Sequence, residues 1–299
     1  MDGRNRNRGW SSHQNQKKRR RKSGKYNKGK LKALLADAKK KRVLLAGAIV
    51  LGSILLAILI DALEGYEGLG EAGQVPENTY DMSLLYEQGG RLQYEDERYE
   101  TETGIDVSSY QKEIDWEAVK KDGIDFAMVR LGYRGYQDGE LKLDSQYEAN
   151  VRGAKDAGIE TGVYFFSQAT TPEEAMEEAR FVLRKIRGKK IDGPIGFDME
   201  FIEGANRIND LTVEEKTEIA DAFCQTIAKK GYQPVIYGNQ PWLLKHLDLS
   251  YLTEYPVWLA HFASTTDYPY AFSMWQYSDS GQVAGIEGNV DMNLRFIPR

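Results

Sequence analysis

The chain has 299 residues with 40 Lys plus Arg, 45 Asp plus Glu and a formal net charge of −5, enough for one large domain with extensions or two average ones. A single cysteine, Cys224, excludes an internal disulfide framework, so an exported part must hold together by its own core. The mild net charge averages two opposed halves: residues 1–42 gather Lys and Arg in KKRRRK (17–22) and KKKR (39–42) against only Asp2 and Asp37, which leaves the rest acidic.

The first element in chain order is the uncharged run VLLAGAIVLGSILLAILI, residues 43–60. As a helix it spans about 27 Å, close to the roughly 30 Å hydrocarbon thickness of a bilayer. It has no polar face, and LIDALEG after it offers no small-x-small cleavage site, so it reads as a retained transmembrane helix rather than a core helix or signal peptide. Lys39–Arg42 abut its start and no basic residue follows before Arg91, which places the N-terminus in the cytoplasm and the rest outside the cell membrane. The tail then sets topology and touches anionic membrane lipids, with Leu31, Leu34, Leu35 and Ala38 on one helical face. Only Trp10 and Tyr26 interleave its charges, and no nucleic-acid partner is expected. Ala48 and Gly52 form a weak small-xxx-small pair.

Residues 62–101 are acidic and Gly-bearing, a composition that rarely packs a core; they read as a spacer, with a short helix near MSLLYEQ. From residue 102 short β-rich runs recur: GIDVS (104–108), FAMVR (126–130), TGVYFF (161–166), IGFDME (195–200), PVIYG (234–238), PVWLA (256–260), SMWQYS (273–278) and NVDMN (289–293). Helices separate the first six. Asp115 caps one at Trp116, Asp144 precedes another, Thr171-Pro172 with Glu174 and Thr212 with Glu215 make capping boxes, and QPWLLKHL gives the fifth. In the fourth, Cys224 shares a stripe with Ile219, Phe223 and Ile227 and reads as core filler. Strand–helix alternation argues for a parallel sheet, and eight strands in this length argue for closure. The expected fold class is α/β: an irregular TIM-like β/α barrel with five helices and eight strands, preceded by one transmembrane helix. An open doubly wound sheet is the alternative, without a Gly-rich phosphate loop to support it. The expected divisions are 1–42 tail, 43–61 membrane helix, 62–101 spacer and 102–299 catalytic domain.

Barrels collect chemistry at the C-terminal ends of their strands. Asp198 and Glu200 end the fourth strand, on one face with Cα atoms about 6.6 Å apart. Asp106 lies in the first strand and Asp291 in the eighth, neighbours about 4.8 Å apart once the barrel closes. Any one of these acids reads most simply as a cap or a salt-bridge partner. As a set, each interrupts an apolar run that should face inward, and burying acids without partners is costly. Crowded carboxyls cannot all ionise, which leaves a neutral proton donor beside charged neighbours, the pairing that glycosidic cleavage uses. Mg²⁺ or Ca²⁺ is the rival use of such acids, but no His pair has ligand spacing among His13, His246 and His261, and no metal or cofactor is expected. Tyr164, Phe165, Phe166, Tyr237, Trp258, Trp275 and Tyr277 lie near the same strand ends. Such rings serve either as barrel filling or as faces for sugars, and Gln276 offers both donor and acceptor.

GIDVSSYQKEIDW, GVYFFSQA, IGFDME, WLAHF and SMWQYSDSGQVAGIEGNVDMN together resemble the family 25 glycoside hydrolases, lysozymes that cut peptidoglycan, from about Gly104 to Asn293. The resemblance implies a β/α barrel with five helices and three closing strands. It implies hydrolysis of the β-1,4 bond between N-acetylmuramic acid and N-acetylglucosamine, with peptidoglycan glycan strands as partner. Glu200 matches the family's proton donor. Asp198 matches the second strand-four acid, read as nucleophile or as the group that orients the substrate's acetamido. Asp106 and Asp291 match acids of the sugar groove, and Tyr164, Tyr237, Trp275 and Gln276 fall at substrate-contact motifs. Two positions depart from many members: Phe165 stands where His is common, and VRLGYRGY where a Thr/Ser-Glu-Gly follows strand two. The alternatives are a non-catalytic glycan-binding module of a cell-surface or secretion assembly, and a chitinase-type glycosidase. The latter usually carries a further Asp two residues before Asp198, where this chain has Gly196.

Overall fold

The computed structural model describes residues 29–30, 32–33, 35–36, 39–43, 45–46, 65–205 and 207–299. The described residues between 29 and 46 are helical. Apart from Val43, Leu45 and Ala46, the membrane helix expected at 43–61 lies outside the described residues, and among these no helix is long and apolar enough to cross a membrane. Met1–Gly65 and Tyr66–Arg299 form two separate units; all that follows concerns the second.

In chain order this unit contains β1 (Leu85–Gln88), β2 (Arg91–Tyr94), β3 (Tyr99–Val107), α1 (Trp116–Lys121), β4 (Phe126–Arg134), β5 (Leu141–Leu143), α2 (Tyr147–Asp156), β6 (Glu160–Ser167), α3 (Pro172–Ile186), β7 (Ile195–Met199), α4 (Val213–Ala228), β8 (Pro234–Asn239), α5 (Gln240–Lys245), β9 (Val257–Ala260), β10 (Met274–Gly281) and β11 (Val290–Pro298). Eight of the strands run in the order β3-β11-β10-β9-β8-β7-β6-β4 and close through a β3–β4 pairing. Closure removes the unpaired edges an open sheet would expose. The barrel and its five helices agree with the sequence expectation and exclude the open sheet. Seven barrel strands run parallel to their neighbours, and β11 alone is antiparallel, to both β10 and β3. The short β5 pairs outside the barrel with β4.

Local chemistry sets the helix starts. Asp115 accepts from the Ala118 N–H at 3.1 Å, and Thr212 and Glu215 cap each other reciprocally. At α3 the Thr171 hydroxyl accepts from the Glu174 N–H as expected, but the Glu174 carboxylate accepts from the Thr170 N–H at 2.8 Å, one residue earlier than a capping box requires.

Strand alternation divides the apolar side chains into two sets. Outward ones such as Ile105, Phe165, Phe197, Leu259 and Trp275 form the main core, shared with residues of the helices including Cys224. Inward ones, Phe126, Met128, Val235, Trp258 and Met274, fill the barrel's interior, with Tyr164 and Tyr237 above them. A Cβ on the facing Gly104 would collide with the Phe126 ring.

Residues 66–101, expected to be an acidic spacer, pack on the barrel. Gly89 and Gly90 both take positive φ, 62° and 79°, and turn β1 into β2, as tight hairpins require. The helix expected near MSLLYEQ is a 3₁₀ turn at Met82–Leu84 that leads into β1. Tyr80 stacks on Phe296 with ring centroids 4.1 Å apart and meets Tyr94, Tyr99 and Phe272 edge-on. The Tyr66 hydroxyl donates to Asp221 on α4 at 2.9 Å. Average composition hid these few aromatic anchors, and they outweigh the surrounding charge.

Candidate active site

At the C-terminal mouth of the barrel lies a cavity of about 230 Å³, lined by Asp106, Arg130, Tyr164, Asp198, Glu200, Tyr237, Trp258, Gln276 and Asp291 among others. Each side chain arrives by strand parity. Phe126, Met128 and Arg130 alternate up the inner face of β4; Gly196 and Asp198 do so on β7, with Glu200 just past its end. Asp106 on β3 and Asp291 on β11 are direct cross-strand partners. The peptide carbonyl of Glu200 accepts from the buried Gln168 amide at 3.0 Å, which fixes the strand end.

The four acids form two carboxyl pairs. Asp106 and Asp291 hydrogen-bond to each other, and Asp291 is pushed up to about 8, first by burial and then by the Asp106 charge. Burial also raises Asp106, but the amides of Asn293 and Gln276 each donate to its Oδ2 at 2.8 Å and oppose the rise. These amides are themselves oriented: the Tyr237 hydroxyl donates to Gln276 Oε1 at 2.8 Å, and Trp258 Nε1 to Asn293 Oδ1 at 2.7 Å. Asp198 and Glu200 are the second hydrogen-bonded pair. Burial and then the Glu200 charge hold Asp198 far above the carboxylate range. Burial raises Glu200 too, against the hydrogen bond it receives from Asp198. Burial and their shared hydrogen bond thus both favour a proton held between these two carboxyls. Asp198 is 5 % exposed, and its Oδ1 has no hydrogen-bond partner.

One cation faces this negative charge. Arg130 favours the ionised form of Asp198; it is held by Asp144 at 2.8 Å and by the Ser109 hydroxyl at 3.2 Å, with its guanidinium 5.1 Å from the Tyr110 ring centroid. Among the described residues, no group of three or more His, Cys, Asp or Glu is placed to hold a metal ion.

Seven of the eight residues expected at the site thus meet here: Glu200, Asp198, Asp106, Asp291, Tyr164, Tyr237 and Gln276. Trp275 does not. It is 0 % exposed in the outer core, its Nε1 donating to the His261 carbonyl at 2.8 Å. Adjacent residues of one strand point to opposite faces, so Trp275 and Gln276 cannot both line the mouth. Phe165 and Tyr277 face outward with Trp275, whereas Phe166 and Trp258 reach the cavity. Sequence reasoning missed Arg130 and Asn293. The signal for both was parity: Asn293 is two residues from Asp291 and Arg130 two from Met128. At Gly196 an added Cβ would lie 2.9 Å from the Cβ of Tyr164, so the extra strand-four Asp of a chitinase has no room.

Residues 105–286 match the glycosyl hydrolases family 25. The chain belongs to this family. Membership makes it a glycoside hydrolase, and Asp106, Asp198 and Glu200 lie within the matched residues. The uncharacterized protein YegX of Escherichia coli is 30 % identical over 196 residues, 64 % of this chain and 68 % of YegX. Lysozyme M1 of Streptomyces globisporus is 30 % identical over 200 residues, 64 % of this chain and 66 % of that one. Among solved structures, the modular autolysin LytC of Streptococcus pneumoniae, in complex with a synthetic peptidoglycan ligand, superposes with a TM-score of 0.60 at 23 % identity. That match covers 71 % of this chain and 52 % of LytC, so the chain spans about half the length of that autolysin.

Proposed function

We propose that this chain is a peptidoglycan hydrolase that cleaves the β-1,4 bond between N-acetylmuramic acid and N-acetylglucosamine. The observation that carries this reading is the hydrogen-bonded Asp198/Glu200 pair lining the cavity at the mouth of a family 25 barrel. Its support includes the lysozyme among the relatives and the peptidoglycan ligand of the structurally similar autolysin.

Glu200 is the proton donor to the glycosidic oxygen. The two carboxyls share a proton through their hydrogen bond. A substrate acetamido N–H approaching Asp198 favours its carboxylate, and the proton moves across the existing hydrogen bond to Glu200. As the glycosidic bond breaks, the leaving sugar takes that proton and the anomeric carbon becomes electron-poor. Asp198 then either attacks that carbon or orients the acetamido oxygen to do so, and a water activated by Glu200 completes the hydrolysis. Either route inverts the anomeric carbon twice, so the anomeric configuration is retained. Asp106 and Asp291, set by Gln276 and Asn293, bind sugar hydroxyls, with Tyr164 as a neutral donor and Tyr237, its proton given to Gln276, as an acceptor; burial raises both phenols well above their usual range.

The same proposal places the barrel outside the cell on a single membrane helix at 43–61, with the basic tail in the cytoplasm against anionic lipid, for local wall remodelling. The uncharged run after KKKR supports this. Glu200→Gln tests the chemistry: kcat on purified peptidoglycan should fall by about 10²–10⁴ with the melting temperature unchanged. Near-full activity would overturn the assignment.

A further inference from the structure

A second, larger cleft of about 780 Å³ opens beside the carboxyl cavity and shares Glu200 and Tyr237 with it. Its chemistry differs. Phe201, Trp242 and His246 form an aromatic cluster, with ring centroids 5.0 Å apart for Phe201–Trp242 and Phe201–His246 and 5.2 Å for Trp242–His246. Phe201 is 45 % exposed and Phe262, also in the lining, 55 %; exposed apolar groups lining one cleft beside a catalytic cavity mark a binding surface. Trp242 lines the cleft, is otherwise buried, and its indole N–H has no hydrogen-bond partner.

The charge differs as well. Glu200 is the sole acid of the lining and Lys245 its cation, while burial and the charges of Lys216 and Lys245 hold His246 below its usual range, so that it lines the cleft as a neutral ring. Lys245 is exposed and has no ion pair among the described residues. Lys216 adds its charge from behind, its Nζ 5.6 Å from the Phe201 ring centroid. Sugar rims need paired donors and acceptors, as the amide and carboxyl network of the first cavity supplies. Exposed rings and cations fit an apolar chain that carries carboxylates. On a peptide-bearing strand the sugars are neutral, because the lactyl carboxyl is tied up as the amide to the peptide, and the carboxylates belong to that peptide.

We infer that the cleft bounded by Phe201, Trp242, Lys245 and Phe262 binds the acidic stem peptide of the substrate, next to the bond being cut. This rests on the peptidoglycan reading above and names which part of that polymer the enzyme selects.

Two measurements on the detergent-solubilised full chain test it. The first is kcat/KM on peptide-bearing glycan strands relative to the same strands stripped of peptide by an amidase. The wild type should favour the peptide-bearing strands about tenfold, the effect of one well-placed charge pair, and Lys245→Glu or Phe262→Ala should bring that ratio toward one. A wild-type ratio near one, a ratio unchanged in both variants, or a parallel loss on both substrates, as a sugar subsite would give, overturns the inference. The second is titration of a synthetic stem tetrapeptide into the Glu200→Gln protein, followed by tryptophan fluorescence. Saturable binding that weakens in Lys245→Glu supports the inference, and its absence overturns it. If neither glycan is cut, the hydrolase reading fails while the titration still decides the cleft.

Discussion

Four carboxyl groups around one cavity make the folded chain hold protons that the unfolded chain releases. Asp291 shows the consequence. Its pKa rises from 3.8 to about 8 on folding, so between those values the unfolded state binds fewer protons and stability declines as pH rises. Below the lower value both states are protonated, and above the upper one both are ionised, so the loss is complete near pH 8. Asp291→Asn keeps an N–H for Asp106 and removes the ionisation. Its melting temperature should exceed that of the wild type by a margin that widens between about pH 5 and pH 8, while activity falls. A constant margin in paired thermal melts would show that the proton on Asp291 is not what burdens the fold. The same crowding keeps a donor available at neutral pH, so site and stability oppose each other here.

At the scale of elements, strand parity decides what reaches the mouth. The β3–β11 register sets Asp106 against Asp291 and brings Asn293 within reach of the same carboxylate. The period-two pattern made Asp198 and Glu200 legible as one face, barrel closure made Asp106 and Asp291 legible as neighbours, and the caps made the helices legible. Trp275 was misplaced because the motif it shares with Gln276 was carried over whole, although parity lets only one of two adjacent residues face the mouth. The hairpin at 85–94 was hidden by its charge, since its anchors are single rings on a distant strand that no local pattern announces. Those anchors carry a prediction. Tyr80→Ala removes a ring packed against four aromatic neighbours and should cost about 3 kcal/mol. A fragment starting at residue 102 also loses the β3 pairing of Tyr99, Glu100 and Thr101 with β11. It should melt well below one starting at residue 66; equal melting temperatures by calorimetry would return 66–101 to the role of spacer.

At the scale of the whole molecule, a closed acidic barrel follows a basic tail and an uncharged run. The proposed tether makes wall cleavage local. The full chain should fractionate with membranes, with the barrel accessible to protease added outside, and removal of residues 1–61 should release it to the soluble fraction. Protection of the barrel in intact cells would reverse the proposed orientation. The central claim is the bond itself. Mass analysis of peptidoglycan digested by the purified chain, after borohydride reduction, reads which sugar carries the new reducing end. The account predicts fragments ending in reduced N-acetylmuramic acid, absent with Glu200→Gln; ends in reduced N-acetylglucosamine, or an intact polymer, would contradict it.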